Sequence, residues 1–447
     1  MTETKDRIFS LKEIQRFSSL ENINSKLFET ENSGRRLSSL LDEIGLPLFY
    51  VAFPEEDIEI IAVGNIKDFT VEDYSEFQRF SLPPGSENNF SDQNNLPDYF
   101  SYICFPWYSS EDTPFSRWVV PQVIIKREKD KYIVRVNFVG TEDNIPKFVE
   151  RFFSDNNYEI TKLLTSQVDI HVDQLIDEPL DKFSSKISEL KKEISAGVIS
   201  KGVISRERKI SFSGKFLFSR AVNSLSQSYP ECAILLTNYS GRYFLCATPE
   251  QLFRLEKNCI TAEALAGSIR SSDKPKMQDY LEDELLSSSK DLHEHMIVRD
   301  FIVDNLRKVA TSVKFEPIPT TKRLSNVTHL RTHITAEVNE QTSPLNILNL
   351  LFPTPALCGQ PKIEAATIIN KIEGKPRDLY GGVMGYTSTS GATEFFVSIR
   401  CAFIDENSAT LFAGGGIVSE SDPISEYNET EIKFIPLTSL FINENES

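Results

Sequence analysis

A stretch near the carboxyl end of the chain concentrates side chains that could bind an anion and a metal ion. Arg400 lies in the alternating segment T-E-F-F-V-S-I-R, and the triplet Gly414–Gly416 follows it. Glu426, Glu429 and Lys433 come next at i, i+3 and i+7, which places them on one face of a helix. Successive glycines let backbone N–H groups approach an anion closely. Together these residue types would suit a small dianionic substrate that is held partly through a metal.

Two strands and a helix are predicted to position these side chains. The alternation over 393–404 predicts one strand that projects Arg400 from a face of small residues. A second strand is predicted to end in the glycine triplet, where a turn would follow. Asp422 and Pro423 then suit the N-cap and first turn of a helix. The alternative is that Glu429 forms an ordinary i,i+4 pair on a solvated face, which the nearby glycine run disfavours.

Three more candidate residues lie earlier in the chain. Lys201 begins a predicted strand, Glu250 directly follows another, and Glu294 lies in a long helical pattern from Met277 to Val309. Glu294 and Glu429 would be two carboxylates on two helices, and oxygen ligands with room for water suit Mg²⁺. From residue types alone, the chain is predicted to be a magnesium-dependent enzyme that acts on a small polyanion.

The run H-E-H around Glu294 invites a different metal site. His293 and His295 are only two positions apart, so they point to different sides of a helix and do not form an H-E-x-x-H pair. A structural role is therefore predicted for both histidines. The alternative for Glu294 itself is a surface pair with Lys290 at i−4.

Composition limits the class of protein. The chain has 447 residues, 40% of them hydrophobic and 25% charged, and a formal net charge of −17. The negative charge disfavours nucleic acid or an anionic membrane as partners, so an anionic substrate must meet locally placed cations. Six scattered cysteines without a C-x-x-C pair predict free, buried thiols. No apolar segment resembles a signal peptide or a membrane span, which predicts a cytoplasmic protein.

The chain is predicted to comprise a sheet-forming N-terminal part, residues 1–180, and a catalytic region, residues 181–447. The first part is rich in Phe and carries no chemical motif, so it is interpreted as scaffold. Pro83–Pro97 reads as a polar loop. Strands are predicted at Leu48–Phe53, Ile58–Val63, Trp118–Lys126 and Tyr132–Val139.

The order of several short motifs resembles that of the chorismate-utilising enzymes. The motifs are K-G-V-I-S-R, A-T-P-E, T-A-E-A-L-A-G-S, K-D-L-H-E-H, H-L-R-T, F-P-T-P-A-L-C-G-Q-P, Y-G-G-V-M-G, F-F-V-S-I-R and G-G-G-I-V followed by E-Y-N-E-T-E-I-K. The resemblance covers about 182–434 and implies the family's α/β (α+β) fold. In that aminodeoxychorismate-synthase-like fold, large antiparallel β-sheets pack together and are flanked by helices.

The resemblance also implies roles for individual residues. Lys201 would activate the water that attacks C2 of chorismate, and Glu250 would protonate the departing C4 hydroxyl. Glu294 and Glu429, with Glu426 beside them, would be Mg²⁺ ligands, and the metal would hold the ring carboxylate. Tyr380, Arg400 and the glycine turn would bind the enolpyruvyl carboxylate. The full set of implied substrate-binding residues is Ala266, Gly267, Ser268, His329, Ala356, Tyr380, Arg400, Gly414, Gly415, Gly416 and Lys433.

Three positions discriminate within the family. Lys201 matches the water-using members, whereas the ammonia-using members carry glutamine there. Ala266 stands where aminodeoxychorismate synthases carry a nucleophilic lysine, and Ala356 stands where salicylate synthases carry threonine. The resemblance thus implies an isochorismate synthase that serves menaquinone or siderophore biosynthesis. The alternatives are a salicylate synthase and a non-catalytic chorismate-binding homologue. Phe352 and Ser268 depart from the family's usual histidine and threonine.

Overall fold

The computed structural model describes residues 12–19, 23–31, 36–42, 47–82, 96–106, 114–139, 145–154, 170–388 and 392–442. The strands are β1 Lys12–Ser19, β2 Ile23–Glu31, β3 Pro47–Phe53, β4 Ile58–Val63, β5 Lys67–Val71, β6 Tyr99–Ile103, β7 Ser116–Val120, β8 Val123–Glu128, β9 Lys131–Val139, β10 His171–Asp177, β11 Lys201–Ser213, β12 Ala233–Tyr239, β13 Arg242–Thr248, β14 Gln251–Glu256, β15 Cys259–Arg270, β16 Ala310–Phe315, β17 Thr320–Arg323, β18 Val327–Val338, β19 Gly359–Gln360, β20 Val383–Thr387, β21 Thr393–Val397, β22 Cys401–Ile404 and β23 Ser408–Ile417.

The helices lie between and after these strands. They are α1 Tyr74–Phe77, α2 Lys147–Ser154, α3 Leu180–Ser195, α4 Phe218–Ser228, α5 Pro275–Ser287, α6 Ser289–Leu306, α7 Pro344–Leu351, α8 Lys362–Glu373 and α9 Pro423–Thr438, with a 3₁₀ helix at Leu37–Leu40. In the described ranges, runs of strands are therefore separated by one helix or, at α5 and α6, by two consecutive helices.

Two large sheets organise the described strands. The first has the order β1-β2-β9-β8-β4-β3-β12-β13-β22-β23-β11-β10, with β19 paired to β11. The second has the order β16-β18-β15-β14-β21-β20-β6-β7-β5, with β17 paired to β18. All of these pairings are antiparallel. The predicted fold class, antiparallel sheets with flanking helices, is confirmed.

Aromatic side chains fill the space between the two sheets. Phe49 of the first sheet packs on Phe100 of the second, with ring centroids 5.7 Å apart. Phe53 and Phe396 make a similar contact at 5.5 Å. Such rings bury large apolar areas, which explains why the N-terminal part is rich in Phe. The opposite face of the first sheet is covered by α2, α4 and α9.

Strands from the N-terminal part enter both sheets. β3 pairs with β12 of the first sheet, and β6 pairs with β20 of the second. The predicted strands at 48–53, 58–63 and 132–139 are confirmed to within one residue. The division of the chain at residue 180 stays a prediction. Of the predicted polar loop, residues 83–95 lie outside the described ranges.

Two predicted continuous elements are interrupted. The predicted strand Trp118–Lys126 is two strands, β7 and β8, which are separated at Pro121, because proline has no N–H for a sheet ladder. The predicted helix Met277–Val309 is two helices, α5 and α6. Ser288 between them has an extended backbone, and its side chain accepts a hydrogen bond from the Asp291 N–H, which caps α6.

The cysteines and the helices bear on two further predictions. All six cysteines are free, as predicted, and five are buried, but Cys259 is exposed. No helix in the described part of the chain has the length and apolar character needed to cross a membrane.

Candidate active site

A cavity gathers most of the residues that the sequence singles out. It lies where the ends of β13, β15, β18 and β23 meet α6, α9 and the segment around Ala356. The predicted site residues that line it are Glu250, Ala266, Gly267, Ser268, Glu294, His329, Ala356, Tyr380, Arg400, Gly414, Gly416, Glu429 and Lys433. Three others, Lys201, Gly415 and Glu426, lie beside the cavity without lining it.

The segment that joins β21 to β22 carries Arg400 into the cavity. The predicted single strand over 393–404 is wrong, because β21 belongs to the second sheet and β22 to the first. Residues 398–400 cross between the sheets, and Arg400 has a φ of 50°, an uncommon conformation for a residue other than glycine. Both flanking strands are buried, so the alternation of apolar residues continues through the crossing and hides it from the sequence.

The glycine triplet lies inside β23 instead of in a turn after it, so the predicted turn is wrong. None of the three glycines has a positive φ. Their small size is needed because other side chains occupy the space that a Cβ would fill. A Cβ on Gly414 would lie 2.5 Å from the Tyr380 Oη, and one on Gly416 would lie 2.0 Å from the Glu294 Oε1. The triplet therefore makes room for the site's own groups.

Each of the three predicted metal carboxylates is paired with one lysine. The N–O distances are 2.9 Å for Lys201–Glu294, 2.7 Å for Lys290–Glu426 and 2.6 Å for Lys433–Glu429. The alternative of a surface pair between Lys290 and Glu294 is thus wrong, because each side chain reaches a different element. The predicted i,i+4 pair of Glu429 and Lys433 is present, but it lines the cavity and does not lie on a solvated face.

The closeness of these carboxylates shapes their ionisation. Burial, and then the negative charge of Glu429, raises the pKa of Glu426 to about 7. Burial by itself would also raise the pKa of Glu429. The positive charges of Lys433 and then Lys290 outweigh this effect, so the pKa of Glu429 is lowered. The Oε2 atom of Glu426 is buried and has no hydrogen-bond partner. This group of carboxylates would therefore be stabilised by a further cation.

Glu250 is placed to hold a proton. It follows β13 directly, as predicted, and only 6% of the residue is exposed. Burial raises the pKa of Glu250 to about 7, although the cations Lys201, Lys322 and Arg400 oppose the increase. A large fraction of this carboxyl group is consequently protonated near neutral pH, which suits a general acid.

His329 orients Arg400 without cancelling its charge. Arg400 Nη2 donates to His329 Nε2 over 3.0 Å, since a guanidinium has only donors. The Nδ1 atom of His329 lies 3.2 Å from the Gly267 carbonyl oxygen and 3.0 Å from the Ser268 Oγ. Burial, and then the charge of Arg400, lowers the pKa of His329 to about 3, so the imidazole is neutral. Arg400 keeps its positive charge for an anion.

Lys201 is fully buried at the first position of β11. Its Nζ makes the ion pair with Glu294 but has no hydrogen bond of good geometry. A Cβ on Gly416 would lie 2.9 Å from the Lys201 Cε, so the observed position of the lysine side chain also requires a glycine at 416. The ammonium group therefore lies immediately behind the cavity wall.

The structure adds residues that sequence analysis did not assign to the site. Arg377 lines the cavity and donates to the carbonyl oxygens of Val203 at 2.7 Å and Leu357 at 3.1 Å. Its guanidinium is paired with Glu373 at 2.6 Å. Its only signal in the sequence is its position three residues before Tyr380. The apolar part of the wall, suited to a carbon ring, comprises Val203, Leu265, Leu357, Ile399 and Phe412.

Comparison with known proteins places the chain in a family. Residues 33–442 match the family described as "Chorismate binding enzyme", and the chain belongs to it. The resemblance that the motifs indicated is therefore confirmed.

Individual relatives carry two different activities in their names. Isochorismate synthase MenF of Haemophilus influenzae is 27% identical over 440 residues, which cover 94% of this chain and 95% of that protein. Anthranilate synthase component 1 of Saccharolobus solfataricus is 30% identical over 338 residues, 73% of each chain. The solved structure of Escherichia coli MenF, a menaquinone-specific isochorismate synthase, superimposes with a TM-score of 0.78 at 24% identity and 96% coverage of both chains, which supports the fold.

Proposed function

We propose that the protein is an isochorismate synthase, which converts chorismate to isochorismate. Relatives with that name and relatives named anthranilate synthase are similarly close, so the choice depends on the site. The observation that carries the proposal is the buried Lys201 beside a cavity that also holds Glu250 and Arg400. A lysine in this place can take a proton from water, whereas the glutamine of the ammonia-using members cannot.

Arg400, Lys201 and Glu250 have different roles in the proposed reaction. Arg400 binds the enolpyruvyl carboxylate, because it is a desolvated cation whose guanidinium, among the described residues, is hydrogen-bonded to a neutral histidine and to no carboxylate. Lys201 acts as the base in its neutral amine form, in which it removes a proton from the water that attacks C2. Glu250 gives its proton to the C4 hydroxyl, which leaves as water, and the ring double bonds shift. One water enters and one leaves, so the overall reaction is an isomerisation.

The residues present are compatible with a Mg²⁺ ion. Glu294 and Glu429 line the cavity, and the unpartnered Oε2 of Glu426 lies close to them. Among the described residues, no three His, Cys, Asp or Glu side chains are grouped tightly enough to hold a metal alone. Substrate and water would therefore complete the coordination. The ion would supply the positive charge that holds the ring carboxylate of chorismate.

A chelator experiment tests the metal. Activity should disappear with chelator and return with Mg²⁺, and Glu429→Gln should be nearly inactive while its circular dichroism stays that of the folded protein. Full turnover in excess chelator would contradict the metal assignment.

Product analysis tests the reaction itself. The protein should be incubated with chorismate and Mg²⁺, with and without ammonia, and the products separated by chromatography. We expect isochorismate, formed reversibly, with little salicylate or pyruvate and no dependence on ammonia. Salicylate and pyruvate as the main products would instead identify a salicylate synthase. No conversion at all would identify a non-catalytic homologue.

A variant at Ala356 refines this test. The methyl group of Ala356 lines the cavity and can neither donate nor accept a hydrogen bond. Ala356→Thr should increase pyruvate release relative to isochorismate, whereas overpacking alone would lower turnover without changing the ratio. The product would feed menaquinone or siderophore biosynthesis.

A further inference from the structure

Lys322 contacts the segment that carries the proposed proton donor. It lies on the short strand β17, at the edge of the second sheet, and does not line the cavity. Its Nζ donates to the Pro249 carbonyl oxygen at 3.0 Å and pairs with Glu263 at 2.7 Å. Pro249 directly precedes Glu250 in the chain. The lysine is therefore one residue removed from the carboxyl group that the reaction uses.

The backbone around Glu250 is fixed from several sides. The Glu250 N–H donates to the Thr248 Oγ1 at 3.2 Å, and the Glu250 carbonyl accepts from the Val397 N–H at 3.0 Å. Both contacts come from neutral groups. Lys322 adds a charged donor to the same segment, so it differs from the other two in its electrostatic effect.

Several charged groups face Glu250 from the elements packed around it. The cations that act on its carboxyl are Lys201 on β11, Lys322 on β17, Arg400 on the crossing segment and Lys433 on α9. The other charged or titratable groups that line the cavity are Glu294, His329, Arg377, Tyr380 and Glu429. Of the four cations, Lys322 is the one to which the sequence analysis assigned no catalytic, substrate-binding or metal-binding role. Its counter-ion, Glu263, is likewise outside the cavity wall.

We propose that Lys322 is a positioning residue for the proton donor: its ammonium group holds the Pro249 carbonyl and, with Glu263, sets the positive charge that faces the Glu250 carboxyl. This inference rests on the proposed role of Glu250 as general acid. Removal of the lysine charge would leave the protonated carboxyl relatively more stable. Removal of the Glu263 charge would leave the lysine unneutralised and would favour the carboxylate instead.

The two variants Lys322→Met and Glu263→Gln should therefore have opposite effects. The acid form of Glu250 is the active one, and it is lost as the pH rises through the pKa of Glu250. Lys322→Met should move the alkaline limb of the kcat/KM profile to higher pH, and Glu263→Gln should move it to lower pH, each by on the order of one pH unit. Purely structural damage would lower activity at every pH.

Arg323→Met is the matched control. Arg323 is the next residue on the same strand and carries the same charge. Successive strand residues point to opposite faces, and Arg323 donates to the Ser272 carbonyl oxygen instead of the Pro249 carbonyl oxygen. Its removal should leave the alkaline limb unchanged. The double variant Lys322→Met/Glu263→Gln removes both members of the ion pair and leaves the partly exposed Arg331, which lies 3.6 Å from Glu263, without this partner. It should fold even if Lys322→Met does not, and its limb should lie near that of the wild type.

A titration that does not depend on turnover separates this inference from the proposed function. The carboxyl carbons of ¹³C-glutamate-labelled protein can be followed by NMR against pH, and Glu250→Gln identifies the resonance. The midpoint for Glu250 should rise in Lys322→Met and fall in Glu263→Gln, even if chorismate is not converted. Midpoints that stay in place, or that move in the same direction in both variants, would overturn the role of Lys322.

Discussion

Buried arginines have opposite surroundings in the two regions of the molecule. In the N-terminal part, Arg127 is paired with Glu59 at 2.5 Å and Asp57 at 2.7 Å. In the cavity, Arg400 is as deeply buried, at 4% exposure, but its side-chain partner is the neutral His329. No carboxylate of the described residues lies within salt-bridge distance of Arg400. The same residue type is neutralised in one region and left charged in the other.

This difference distinguishes scaffold from site. A buried ion pair that satisfies itself holds neighbouring strands together, and removal of one partner is strongly destabilising. A buried cation without an anion lowers the stability of the ligand-free protein, and it becomes favourable only when an anionic ligand binds. Since the whole chain carries a net charge of −17, the unneutralised positive charge of Arg400 is a local feature of the cavity.

The most severe test removes the scaffold. A fragment of residues 181–447 would lose the partners of β12 and β20, so one strand edge in each sheet and the aromatic layer between them would be exposed. We expect insoluble protein on expression, checked by sedimentation of the lysate. A soluble fragment that converts chorismate would show that the N-terminal part is a separable domain.

The next largest effect concerns the proton-transfer residues. Lys201→Ala and Glu250→Gln should each lower kcat by on the order of 10²–10⁴-fold, the usual contribution of a general acid or base. Steady-state kinetics at saturating chorismate and Mg²⁺ would measure it. Arg127→Met is the comparison from the other region, and it should lower the unfolding temperature but leave kcat per folded molecule unchanged. Near-normal turnover of Lys201→Ala would mean that water is activated elsewhere.

Loss of the unneutralised arginine should act on affinity. A hydrogen bond to a charged group contributes about 1.5–3 kcal/mol, so Arg400→Met should raise the KM for chorismate roughly 10–100-fold. The same variant should also be more stable than the wild type without ligand, because it removes an unpaired buried charge. An unchanged KM together with reduced stability would show that Arg400 has a structural role, like Arg127, and does not bind the substrate.

The smallest effect tests the steric role of the glycine strand. Gly416→Ala should destabilise the protein by about 1–3 kcal/mol, because its Cβ would overlap the Glu294 carboxylate. In a Glu294→Ala background the same change should cost much less, which urea unfolding of the four proteins in the cycle would measure. Equal costs in both backgrounds would show that the clash is not with Glu294.

Much of the site could be predicted because its residues lie at element boundaries with local signals. Asp422 accepts a hydrogen bond from the Ser425 N–H and starts α9, as its residue type and the following proline indicate. Lys201 begins β11, and Glu250 follows β13, also as predicted. These features depend on a few neighbouring residues, which the sequence displays directly.

The features that could not be predicted depend on contacts distant in the chain. Lys290 pairs with Glu426 across two helices because α6 and α9 converge, and the closer glutamate at i+4 is taken by Lys201. The change of sheet at residues 398–400 leaves the apolar alternation intact, so the pattern carries no trace of it. Lys322, 72 positions from Glu250, gave no local signal either.

Residues 398–400 make the position of Arg400 depend on how the two sheets are placed relative to each other. Residues 398–400 are one of the covalent links between the two sheets, and Arg400 is the last of the three. Any sliding or rotation of one sheet against the other would be transmitted along three residues to the guanidinium, which in the described part of the chain is held by a hydrogen bond with the neutral His329. Substitutions in the aromatic layer between the sheets should therefore alter substrate recognition, because they would change the geometry of residues 398–400. Laboratory evolution of new specificity can act on that layer as well as on the cavity wall.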